Sequence, residues 1–146
     1  MNAYLDTSAM MKLYYSEPES ERVSEWVLKA RLSLLYSSFH ELELKNALLL
    51  KVFRHEMSLK QYRKISLNLD SDLQSGVLLR PVIAWPTVLA KAIVISEKCT
   101  KNSGGRSLDI VHVALASSLN CTHFFSYDQR QNKIAKKTGL KIIGIW

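Results

Sequence analysis

Cysteine is nearly absent from this chain of 146 residues: Cys99 and Cys121 stand far apart and without metal-ligand spacing. That excludes a disulfide framework or a zinc knuckle and leaves two buried free thiols, as expected in a reducing cytosol. No stretch approaches the roughly 18 consecutive apolar residues of a membrane span. The apolar start is broken at once by Asp6, which argues against a signal peptide, so a soluble cytoplasmic protein is expected. Glycine is also scarce. Asp6-Thr7-Ser8 follows the first apolar run where a nucleotide-binding domain would need a glycine-rich phosphate loop. Acids are outnumbered, 13 Asp and Glu against 20 Lys and Arg, for a formal charge of +7. Such a balance favours polyanionic partners and says nothing about fold. Repeats, low-complexity tracts and domain boundaries are missing too, so residues 1–146 are read as one domain.

What is present alternates between extended and helical patterns. Asn2 to Leu5 reads as a short buried strand, followed by the capping side chains Asp6-Thr7-Ser8 and the helix-compatible run Ala9 to Tyr14. A second helix is expected from near Pro18 to about Ala30, and a strand from Leu32 to Tyr36. Ser37-Ser38 caps a helix to about His55 that is apolar nearly all round, as suits burial on several sides or a subunit contact. Ser58 caps another helix, Leu59 to about Leu73. Leu78 to Ile83 is extended, but Pro81 bars it from the centre of a sheet. Pro86 to about Cys99 is helical, and Asn102-Ser103-Gly104-Gly105 is the clearest break. A helix from Ser107 to about Leu119, a strand from Thr122 to Tyr127, a helix from Gln129 to Lys137 stopped by Gly139, and a strand from Lys141 to Ile145 complete the chain. The alternation predicts an α/β fold, a parallel β-sheet sandwiched between α-helices.

Ligands of such sheets bind beyond the carboxyl ends of the strands. Asp6 and Asp128 each end a strand, and Asp109 lies in the first turn of a helix. Each has a structural reading: Asp6 and Asp128 as N-caps, Asp109 as a charge in favourable contact with a helix dipole. Together they point at one edge of the sheet, and gathered carboxylates need a cation; hard oxygen ligands suit Mg2+ or Mn2+. A fourth acid is chosen between Glu41 and Glu43. Glu41 has Lys45 at i+4, the order of a solvated pair. Glu43 has Ala47 and Leu50 on its face and Asn46 at i+3 to orient it, so Glu43 is preferred. The expected chemistry is metal-dependent phosphodiester cleavage.

Four segments carry a family resemblance. Tyr4-Leu5-Asp6-Thr7-Ser8-Ala9, Glu41 to Leu48, Ser107 to Ala114, and Phe125-Ser126-Tyr127-Asp128 with Ala135 and Gly139-Leu140 match in order and spacing. The set resembles the motifs of PIN-domain nucleases, particularly the VapC-type toxins of toxin–antitoxin modules. Ser126 departs from the more usual Thr but keeps the hydroxyl. The resemblance implies Asp6, Glu43, Asp109 and Asp128 as catalytic, metal-binding acids. It also implies Mg2+-dependent cleavage of RNA, a homodimer, and a small antitoxin protein that blocks the site.

Thr7, Ser8 and Ser126 are supporting candidates that orient carboxylates or waters, although capping explains the first two equally well. An acidic pocket repels RNA unless a basic rim compensates; Arg106 and Lys12 are the candidate phosphate contacts. Lys133, Lys136, Lys137 and Lys141 are read as solvated surface. His112, one turn after Asp109, is expected to pack or hydrogen-bond rather than ligate, and Trp26, Trp85 and Trp146 to lie in the core or an interface. One rival chemistry lacks a residue: an aspartyl-phosphate enzyme would want an acid where Ser8 stands. An RNA-binding PIN protein of weak or no activity, or an RNA-processing nuclease without an antitoxin, is the alternative reading.

Overall fold

The computed structural model describes residues 1–145; Trp146, expected in a core or interface, lies outside them. In chain order the elements are β1 (Ala3–Leu5), α1 (Thr7–Tyr14), α2 (Ser20–Ala30), β2 (Leu34–Leu35), α3 (Ser38–Phe53), α4 (Leu59–Ser75), β3 (Leu78–Leu79), α5 (Trp85–Ser103), α6 (Ser107–Ser118), β4 (His123–Phe125), α7 (Gln129–Lys137) and β5 (Lys141–Ile142). They fall into two compact units. One joins Met1–Ala9 to the chain from Val82 onward, and the other is Met10–Pro81.

The first unit holds a parallel sheet in the order β1-β4-β5. Parallel neighbours cannot be joined by tight turns, so helices fill the connections and flank the sheet. Tyr4 stands opposite Phe124 in the register, and their rings stack at 5.5 Å. α6 buries Ile110, Val113, Ala114, Leu115 and Ala116, so it is enclosed on most sides rather than along one stripe. α7 is the opposite case, amphipathic, with Ile134 and Ala135 inward and its lysines outward. The break before α6 is built by two glycines. Gly104 ends α5 in the left-handed region, φ +66°, which a side chain resists. A Cβ on Gly105 would meet the fully buried Ile134 Cδ1 at 2.5 Å, so α7 packs against bare backbone there.

The second unit contains α2, α3 and α4 and a two-stranded parallel sheet, Leu34 opposite Leu78 and Leu35 opposite Leu79. Ser37 and Ser58 cap α3 and α4, each accepting the N–H of the residue three places on. Residues 78–79 do form a strand, but a two-residue one in a two-stranded sheet, in keeping with Pro81 nearby. α2 begins at Ser20, two residues after Pro18, because Ser20 Oγ accepts the Glu17 N–H and closes a turn before the helix. β5 is shorter than expected, although Ile143 N–H still donates to Phe124 O at 2.9 Å. α3 is buried through His40, Leu44 and Leu48 but leaves Leu42 and Phe53 68% and 79% exposed. Its all-round apolar surface is therefore not consumed within the chain's own core. No helix among the described residues is long and apolar enough to cross a membrane.

Candidate active site

The parallel register decides which side chains meet. Leu5 is opposite Phe125, so Asp6 and Ser126 emerge side by side from the ends of β1 and β4. Asp6 N–H donates to Phe125 O at 3.0 Å, extending the ladder one residue beyond the strands. The Asp6 carboxylate is buried (2% exposed) and accepts three hydrogen bonds. Ser8 Oγ and the Ala9 N–H donate to Oδ1 at 2.7 and 2.9 Å, and Ser126 Oγ donates to Oδ2 at 2.6 Å. Both serines are themselves fixed: Tyr127 N–H donates to Ser8 Oγ, and Asp128 N–H to Ser126 Oγ. Ser8 and Ser126 thus orient Asp6, while the Ala9 contact also makes Asp6 a helix cap; the two readings of this residue coexist.

Burial raises the Asp6 carboxyl above its ordinary range, outweighing the pull of nearby His112 and of the Ser126, Ser8 and Ala9 hydrogen bonds. An anion at this position is under-compensated by the protein alone. His112 is buried; its Nδ1 lies 2.7 Å from Tyr4 Oη and its Nε2 3.4 Å from Thr7 Oγ1. The expected packing role of His112 holds, and Thr7 supports the histidine.

Asp109 sits in the first turn of α6, 7% exposed. Its Oδ2 accepts the Arg106 backbone N–H at 3.1 Å and Arg106 Nε at 3.3 Å, and its Oδ1 accepts Gln131 Nε2 at 3.2 Å. Asp128 caps α7, Oδ1 accepting the N–H groups of Arg130 and Gln131. Its Oδ2 lies 3.4 Å from Arg130 Nη2 and 3.8 Å from Arg106 Nη2. Burial alone would raise the Asp128 carboxyl, but the hydrogen bonds from Arg130 and the α7 backbone outweigh it and hold the carboxyl below its ordinary range. Arg106, expected on an RNA-facing rim, therefore spans Asp109 and Asp128 with its side chain 70% exposed. Lys12, the other rim candidate, pairs with Glu17 and Glu19 in the second unit and is largely covered.

Glu43 and Asn46 lie on α3 in that second unit, Glu43 half-buried and Asn46 exposed. Glu41 pairs with Lys45 at 2.9 Å, as its spacing predicts, and with Arg80 at 2.6 Å.

Gln131 escapes a reading of the sequence. It is buried, holds Asp109 through Nε2, and leaves Oε1 without a hydrogen-bond partner. Asn132 beside it donates to Ser126 O at 2.8 Å and leaves Oδ1 likewise unmatched. The signal is there to be found: in an amphipathic helix that buries Ile134 and Ala135, position 131 falls on the inward face, where an amide needs a reason.

Among the described residues no three His, Cys, Asp or Glu side chains stand ready-gathered around a cation site. The carboxylates of Asp6, Asp109 and Asp128 are turned instead toward internal donors. The donor set still fits a hard divalent ion: a desolvated Asp6 carboxylate, the Asp109 carboxylate, and an unmatched amide oxygen on its neighbour Gln131 are oxygen ligands throughout.

The PIN domain family model matches residues 3–137. No curated protein matches the sequence. Among solved structures, the chain is similar to one in the crystal structure of FitAcB from Neisseria gonorrhoeae, with a TM-score of 0.69 and 18% identity over 99% of this chain and 98% of that one. At that identity the likeness concerns the fold.

Proposed function

Because this chain belongs to the PIN-domain family, we propose that it is a divalent-metal-dependent endoribonuclease, the toxin of a type II toxin–antitoxin module. The observation that carries this reading is Asp6: a carboxylate buried at the tip of a parallel sheet, fixed by serines from two segments, and less easily ionised than an ordinary aspartate. A purely structural cap has no need of that burial. Likeness to a FitAcB chain over nearly the whole length supports an antitoxin partner. The charge of +7 supports RNA as the polyanion.

Asp6 and Asp109 would hold Mg2+ or Mn2+ directly, with Asp128 as a direct or water-mediated ligand. Bound there, the ion supplies an acidified water and neutralises charge on the phosphate. Ser8 and Ser126 keep the Asp6 oxygens aimed and Gln131 keeps Asp109 aimed, and Asp128 would be placed to accept a proton from the attacking water. The reading includes a homodimer, to which the exposed Leu42 and Phe53 of α3 would contribute.

The Arg106 bridge favours a second reading, an RNA-binding PIN protein of weak activity, because a guanidinium already neutralises two of the acids. Cleavage of RNA by the purified protein separates them. Mg2+- or Mn2+-dependent activity that vanishes in Asp6→Asn and Asp109→Asn is expected. Activity untouched by both substitutions would end the nuclease reading. Activity absent from the unsubstituted protein but gained in Arg106→Ala would favour the second.

A further inference from the structure

A groove of about 610 Å³ in the first unit is lined by Lys91, Lys98 and Lys137, with Val94 and Ile95 in its wall and Ser117 at its edge. Lys91 Nζ lies 3.4 Å from Ser117 Oγ, and among the described residues none of the three lysines forms an ion pair. Among the described residues no carboxylate lines the groove. The groove takes in the C-terminal ends of α6 and α7, each contributing about half a negative charge. Against those helix ends, three ammonium groups leave the groove about two charges positive. Neutralising the helix ends would need fewer lysines than are present.

The same two helices carry Asp109 and Asp128 at their other ends. Ser117 lies eight residues beyond Asp109, about 12 Å along α6 at about 1.5 Å per residue. We propose that this groove is a second phosphate-binding site, gripping the backbone of an RNA strand whose scissile bond lies at the acids. The inference rests on the nuclease reading and adds to it a footprint reaching along α6 and α7. RNA is favoured over an acidic peptide because the groove offers three point charges spaced on two helices, α5 and α7, with no carboxylate between them among the described residues. Lysine ammonium groups contact phosphate as point charges and carry no base preference.

The test separates binding from cleavage. Affinity for a fluorescein-labelled single-stranded RNA is measured against salt in Asp6→Asn protein, with and without Lys91→Ala, Lys98→Ala and Lys137→Ala together. Each lost phosphate contact on a single strand removes about 0.7 from the salt slope, so the slope should fall by about 2. The three corresponding Lys→Arg changes should restore it. In protein with Asp6 intact, the alanine triple should raise KM for long RNA and leave kcat within about twofold. An unchanged slope overturns the proposal. So does an equal fall when exposed Lys29, Lys60 and Lys64 are replaced instead, since bulk charge would then explain it. Loss of binding to a poly-glutamate probe with RNA binding intact would assign the groove to a peptide and overturn it as well. If the protein cleaves no RNA while the slope falls as expected, the nuclease reading fails and the phosphate site stands.

Discussion

Replacing Asp6 by Asn tests the central electrostatic argument without any activity assay. The substitution keeps size and shape and removes the charge. With the hydrogen bonds otherwise kept, the Asn carbonyl oxygen takes the Oδ1 place and retains the Ser8 and Ala9 donors. Its amide then faces Ser126 Oγ, whose O–H loses its acceptor, at a cost of about 1–1.5 kcal/mol. Against this stands the desolvation of a fully buried carboxylate, several kcal/mol before hydrogen bonding offsets part of it. The raised Asp6 carboxyl says that burial wins over those hydrogen bonds. A net gain on the order of 1–2 kcal/mol is expected for metal-free Asp6→Asn protein at neutral pH, about 3–6 °C in Tm for a chain of this size. The sign with pH follows. A carboxyl raised in the folded state stabilises below its unfolded value of 3.8 and loses that contribution as pH rises through the folded value. The advantage of the Asp6→Asn protein over its parent should therefore be absent in acid and grow above pH 3.8. Thermal unfolding in EDTA from about pH 4.5 to about pH 8 reads it directly. Adding Mn2+ at about 100 times its Kd should reverse the order, stabilising the unsubstituted protein by about 2.7 kcal/mol and leaving Asp6→Asn unmoved. If Asp6→Asn is less stable than its parent in EDTA near neutral pH, or the difference does not change with pH, the reasoning about this carboxylate is wrong.

Two further outcomes test the surroundings. Ser126→Ala removes a charge-assisted hydrogen bond to Asp6 and strands the Asp128 N–H, so urea unfolding should show a loss of about 2–4 kcal/mol; a loss below about 1 kcal/mol would mean the serine does not organise the site. Burial pushes the Cys121 thiol from 9.0 up to about 11, so at about pH 8.5 its thiolate fraction, and its iodoacetamide reaction rate, should be roughly 75-fold below that of the unfolded chain; equal rates in native and urea-unfolded protein would contradict that burial.

Much of the first unit is legible because its residues obey two rules at once. Tyr4-Leu5 and Phe124-Phe125 are apolar runs too short for helices, and an acid or a serine follows each. Parallel pairing then places Asp6 beside Ser126 across 120 positions of sequence. The caps Ser37, Ser58 and Asp128 are equally plain, since the side chains that accept backbone N–H groups are few. What the residues do not announce is their partnerships. Arg106 and Lys12 both read as free cations for RNA, yet one spans two acids and the other meets two glutamates, because a charge's partner depends on which distant segments are neighbours. Gln131 is overlooked for the same reason: its spacing marks it as buried, but only the packing of α7 against α6 shows Asp109 waiting for its amide. The strands expected at residues 32–36 and 141–145 are shorter in the fold, because β-favouring side chains there continue past the last paired backbone group.

The pairing of β1 with β4 has a bearing on the order of synthesis. Residues 10–81 form a contiguous unit whose contacts are all available as soon as that stretch leaves the ribosome. The other unit must wait: residues 3–5 have no strand beside them until residues 123–125 are made. Asp6 therefore lacks Ser126, its β4 neighbour, through most of translation. A half-made copy of this protein carries the acid but not the frame that aims it: the carboxylate and the serine that fixes it meet only once both segments of the unit exist.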